Sequence, residues 1–153
     1  MNIQQFDCIK AETDIQNEIR GLGVSKLQFK TERSSSSDMF ALENIFTGRG
    51  GPAKHLHLYQ DEWFYCLEGK FAFEIGENKI ILFPGDSIIG PKQIPHVWAH
   101  IGESSGRILI VFAPAGKMED FFREVTQANA MPAQQAELWR KYDMELLGPP
   151  MNI

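Results

Sequence analysis

Cysteine is scarce: the 153-residue chain has two, Cys8 and Cys66. That is too few for a disulfide framework, and each reads as a small buried or strand residue. No apolar run approaches the ~18 residues that a membrane-spanning helix needs. The amino terminus, MNIQQFDCIKAET, has no basic region followed by a long apolar run, so no secretory leader is expected and the default compartment is the cytoplasm. Positive charge is also short, with fifteen Lys and Arg against twenty Asp and Glu and a formal net charge of −5. That balance argues against nucleic acid and anionic membranes as partners. No linker, internal repeat or second domain is evident in the sequence, and the length leads to the expectation of one domain with a real core.

What is present is an ordinary soluble composition, 43% hydrophobic and 23% charged, with a surplus of phenylalanine, eleven in all. Such a surplus implies a tightly packed interior or an aromatic-lined cavity. Residues 24–32 alternate apolar and polar at period two and stop at the serine run 34–37, which reads as a hairpin-like tip. The pattern resumes at 39–46, and 48–52 (GRGGP) is a loop. Further runs fall at 55–58, 62–67, 71–75, 79–83, 87–89, 97–101 and 107–113, separated by Gly, Pro and Asn turn signals. Many short strands with no helices between them predict an antiparallel sandwich or barrel, an all-β architecture.

The last quarter changes period. Met118, Phe121, Phe122 and Val125 fall on one helical face. Pro132 suits the first turn of a second helix, continued by Leu138, Tyr142 and Leu146 and ended by Gly148, Pro149 and Pro150. The expectation is two C-terminal α-helices packed on the outside of the β structure, with residues 116–153 an extension of the domain formed by 1–115.

The residues that carry chemistry lie between. His55 and His57 are two apart in a strand, so they share a face. Glu62 follows near the start of the next strand, and His96 opens another after Pro95. Imidazoles with one carboxylate suit first-row divalent metals, Fe, Mn, Co, Ni, Cu or Zn, rather than calcium or magnesium. Each element alone is a weak signal, because a lone His-x-His in a strand is usually structural.

Together they resemble the cupin superfamily. Its first motif, G-x5-H-x-H-x3–4-E-x6-G, is matched in register by His55, His57, Glu62 and Gly69. Its second, G-x5-P-x-G-x2-H-x3-N, is matched by Gly85, Pro91 and His96. Arg49 departs from the first motif, and Gln93 and His100 from the second, at positions that hold no ligand in the family. The resemblance implies an antiparallel double-sheet jelly-roll barrel, with the motifs at 49–100, and one divalent transition metal held by His55, His57, Glu62 and His96. Likeness to quercetinase-type cupins implies a dioxygenase-like oxidoreductase in which Glu62, besides ligating, takes the substrate proton. It also implies a homodimer.

Strand alternation places Phe64 with Glu62, and Trp98 and His100 with His96, as lining of a mostly apolar pocket for a small cyclic or aromatic substrate. Arg49, in the glycine loop, is positioned to reach a substrate carboxylate. The competing readings are a non-redox isomerase, epimerase or lyase, and a non-catalytic cupin that binds a metabolite or sugar.

Overall fold

The computed structural model describes residues 8–32 and 38–153, so the serine run at 34–37 lies outside the described residues. In chain order the elements are β1 (Arg20–Leu22), β2 (Ser25–Phe29), β3 (Phe40–Phe46), β4 (Ala53–His57), β5 (Asp61–Glu68), β6 (Phe71–Ile75), β7 (Asn78–Leu82), β8 (Ser87–Gly90), β9 (His96–His100), β10 (Gly106–Ala113), α1 (Met118–Ala128), α2 (Ala136–Lys141) and β11 (Met144–Pro150). They form two sheets, ordered β1-β2-β3-β10-β5-β8 and β11-β4-β9-β6-β7. The strand pairs are antiparallel, giving the double-sheet barrel that the turn spacing predicts.

Period-two burial builds the interior. On β10 the residues Ile108, Ile110 and Phe112 face inward, and on β6 Phe71, Phe73 and Ile75 do. Each such side chain stabilises the fold by roughly 1.5–3 kcal/mol on burial. A one-residue slip would turn the whole set outward, which pins the register. That register layers the six-stranded sheet around β10. Phe112 is flanked by Phe40 and Glu62, Ile110 by Leu42 and Phe64, and Ile108 by Asn44 and Cys66. Cys66 is buried and Cys8 exposed, and both are free, so the expectation of two buried or strand cysteines holds only for the first.

The C-terminal quarter differs from its sequence pattern. Helix α1 follows it, burying Met118, Phe121, Phe122 and Val125. These residues and Trp139 belong to the same core cluster as the barrel's inward phenylalanines, so the helices close one end of the barrel instead of lying on its outside. The second helix stops at Lys141, because Asp143 turns into the left-handed region at φ 60. The remainder is β11, which pairs Met144 with His57 and Leu146 with His55. Leu146 therefore belongs to a strand, and the helical reading of that stretch is corrected. Met144 and Leu146 also alternate at period two, and the open edge of β4 offers backbone partners that a helix would leave unpaired. The closing prolines are tolerated because this is an edge strand.

Helix α1 ends on Asn129, whose Oδ1 accepts a hydrogen bond from the Gly23 amide at 3.1 Å. That contact anchors the helix to the β1–β2 turn. Among the described residues no helix is long and apolar enough to cross a membrane.

Candidate metal centre

Four inward side chains from three strands meet beneath the helices. His55 and His57 point in from β4, Glu62 from the start of β5 and His96 from the start of β9, where it stands opposite His55 in the ladder. One donor atom from each lies within 4.8 Å of the others, and all four residues are buried. Glu62 Oε2 is 3.0 Å from His57 Nε2 and 3.1 Å from His96 Nε2.

Hydrogen bonds fix the ring orientations. Nδ1 of His55 donates to the Ala53 carbonyl at 2.7 Å, and Nδ1 of His96 to that of Ile94 at 3.2 Å. A neutral imidazole has one N–H, so each of these rings turns a bare Nε2 lone pair toward the others. Neither ring nitrogen of His57 has a hydrogen-bond partner, although its Nε2 lies so near the carboxylate. Burying unpartnered polar atoms is costly.

Electrostatics point the same way. Burial is the largest influence on His55 and, with His96 and His57 beside it, holds its pKa well below the ordinary value. Burial alone would raise the Glu62 pKa, but the close approach of the His57 and His96 imidazoles outweighs it and holds the carboxyl well below the usual carboxylate range. Three imidazoles facing one carboxylate form a mixed nitrogen and oxygen donor set that a divalent cation satisfies. The residues fit a metal ion.

Aromatic rings wall the cluster. The Trp139 ring stands 4.7 Å from that of His55, and Phe112 5.5 Å from that of His57. Trp139 is held by its Nε1, which donates to the Pro132 carbonyl at 2.8 Å. From the cluster a cavity of about 70 Å³ runs past Trp98 and Ile110 to Asn44, Ser25 and Gly51.

A Cupin domain model matches residues 42–112, the span that supplies all four cluster residues. An RmlC-like cupin from Shewanella frigidimarina aligns with a TM-score of 0.58 at 26% identity, covering 78% of this chain and 99% of that one. The chain belongs to the cupin family. An uncharacterised protein of Streptomyces coelicolor is 31% identical to this cupin over 88 residues, 58% of this chain and 78% of that protein. Streptomyces Pac13, a nucleoside dehydratase, shares the fold at a TM-score of 0.59 and 11% identity, across 93% of this chain and 94% of its own.

The cupin motif's departures have local explanations. Gln93 occupies the glycine position with φ 67, and its amide N–H donates to the His57 carbonyl at 2.6 Å, tying down the end of β4. Arg49 is exposed and does not line the cavity. Of the expected pocket residues, Trp98 lines it. Phe64 packs against Phe73 and Trp98 in the core instead. His100 lies at the other end of β9, its Nδ1 donating to the Gly48 carbonyl at 2.9 Å. The sequence reading missed Asn44, although the alternation Phe40, Leu42, Asn44, Phe46 carried the signal: one polar residue at an inward position.

His100 explains a glycine. A Cβ on Gly106 would sit 2.4 Å from His100 Cδ2 and 2.6 Å from its Nε2. Gly106→Ala is expected to cost about 2–3 kcal/mol by overpacking. The same change in a His100→Ala background is expected to cost less than about 1 kcal/mol, since the obstructing ring is gone. Equal costs in both backgrounds, read from denaturant melts, would dismiss this explanation.

Proposed function

We propose that this cupin is a metal-dependent enzyme acting on small molecules, an oxidoreductase of the dioxygenase type, with a divalent transition metal held by His55, His57, Glu62 and His96. The observation that carries the metal reading is the convergence of four buried donors with His57 left without a hydrogen-bond partner. When bound, a redox-capable metal supplies activation of an oxygen donor such as an enolisable or diol group, and of dioxygen.

The chain's own residues do the rest. The carbonyls of Ala53 and Ile94 hold the imidazoles of His55 and His96 in the ligating tautomer. Phe112 and Trp139 exclude bulk water from the cluster. Glu62 meets both neighbouring imidazoles through Oε2, which leaves Oε1 as the oxygen to take a proton from a substrate hydroxyl. At 10–15 Å³ per water, the cavity has room for about five waters, a volume suited to a substrate built on a single ring.

A second reading is a non-redox isomerase, epimerase or lyase in which the ion acts only as a Lewis acid; a cupin-fold neighbour, Pac13, is a dehydratase. Elemental analysis and an oxygen electrode separate the two. Protein purified without chelator is expected to carry about one iron, manganese, nickel, cobalt or copper per chain and to consume dioxygen during turnover across a panel of enolisable and diol compounds. Activity restored by zinc alone, without oxygen uptake, would replace the redox reading with the second one.

A further inference from the structure

The cavity above the metal cluster is polar at its two ends and apolar between them. Resting on the metal-centre reading, we infer that its substrate carries at most one negative charge, placed at the metal-binding end, and an uncharged hydrogen-bonding group at the far end that pairs with Asn44. Asn44 is then the specificity-determining residue.

Charge balance supports the first half. A divalent ion with the Glu62 carboxylate leaves one net positive charge among neutral imidazoles, and one anionic donor on the substrate cancels it. No lysine or arginine is among the described residues that line the cavity. Between the cluster and Asn44 it is lined by Trp98 and Ile110. A second carboxylate or a phosphate placed there would be buried with no counter-charge, a severe penalty in an apolar surround. Arg49, in the glycine loop, is exposed and stands outside the cavity, and Lys54, beside His55 in sequence, does not line it either.

The ladder supports the second half. Glu62 stands level with Phe112 on β10 and Asn44 with Ile108, four residues further along. That is roughly 13 Å of strand, so Asn44 faces the substrate end remote from the ion. Asn44 is 5% exposed, and one Nδ2 proton is used on the Lys26 carbonyl at 3.2 Å. That bond fixes the amide's orientation and involves neither the second Nδ2 proton nor Oδ1. Nearby, the Ser25 hydroxyl donates to the Leu22 carbonyl at 3.0 Å, leaving its oxygen as an acceptor. A neutral hydroxyl or amide on the substrate finds both a donor and an acceptor here.

Three catechols of matched size test this on zinc-loaded, redox-silent protein at neutral pH: 4-ethylcatechol, 2-(3,4-dihydroxyphenyl)ethanol and 3,4-dihydroxyphenylacetate. They share the metal-binding group and differ only in the arm. Binding is read by calorimetry and by tryptophan fluorescence, since Trp98 and Trp139 both line the cavity. The alcohol is expected to bind about fivefold more tightly than the ethyl compound, the worth of one hydrogen bond. It is expected to bind at least tenfold more tightly than the carboxylate. Asn44→Leu should erase the alcohol's advantage while leaving the ethyl compound within about twofold. Should that variant fail to fold by circular dichroism, Asn44→Ala replaces it, and the wild-type ranking tests the charge argument without any variant. Carboxylate binding equal to that of the alcohol, an advantage that survives the Asn44 substitution, or no binding of any probe would each overturn the inference while the metal centre stands. Failure of the wild type to take up zinc would overturn both.

Discussion

His57→Ala is expected to strip the metal, lowering its content from about one ion per chain to less than about a tenth. Loss of a partner that merely orients a ligand costs 10–100-fold in metal affinity, so loss of a ligand itself is expected to exceed about 100-fold. The thermal melt provides a second readout. A metal at ~1,000 times its dissociation constant stabilises by about 4 kcal/mol. For a domain near 150 residues that is a rise in Tm on the order of 10 °C. The wild type should show this rise on adding metal, and the variant should not. The metal-free proteins should melt close together, within about 2 kcal/mol. Without an ion the wild type buries an imidazole that lacks hydrogen-bond partners, and removing it offsets part of the lost packing. Stoichiometric metal retained by the variant would remove His57 from the ligand set.

Gly51→Ala has the largest expected effect on stability. Its Cβ would lie 2.0 Å from the Trp98 carbonyl oxygen and 2.8 Å from Ala99 Cα, both backbone atoms of β9. No rotamer change relieves a clash with backbone. The loop cannot swing away either, because Gly50 and His100 exchange two backbone hydrogen bonds, at 3.1 and 2.8 Å. A cost of about 3–5 kcal/mol is expected, lowering Tm by about 10 °C or more. Because β9 also carries His96, metal affinity should fall with it. Gly148→Ala is the control. There the nearest atom to a new Cβ is Lys54 Cβ at 3.6 Å, an ordinary contact, and the change is expected to stay within about 0.5 kcal/mol. A Gly51→Ala protein that melts within about 2 °C of the wild type would show that β9 tolerates the intrusion.

Legibility varied with the range of the interaction. The strands from β3 to β10 are readable because alternation and turn residues act within a few positions. His55 and His57 share a face for the same local reason. That Glu62 and His96 join them depends on β5 and β9 lying in different sheets that close on each other, which motif spacing suggests but alternation alone does not. The pocket was harder. Alternation correctly turns Phe64 and His100 inward, yet says nothing of depth: Phe64 lies one layer below Glu62, and His100 is four residues along β9 from His96.

The segment after Pro132 shows the limit most clearly. Leu138, Tyr142 and Leu146 suit a helix, Met144 and Leu146 suit a strand, and both patterns are present in one stretch. The unpaired edge of β4 chose between them, because backbone groups there gain partners only if residues 144–150 run extended. What the chain encodes locally is therefore which residues face inward and which donors are offered to a cation. Where along the barrel each inward residue falls, and what closes the end above the donors, was decided by ladder register and by the helices burying their apolar faces, both set by contacts between residues far apart in the chain.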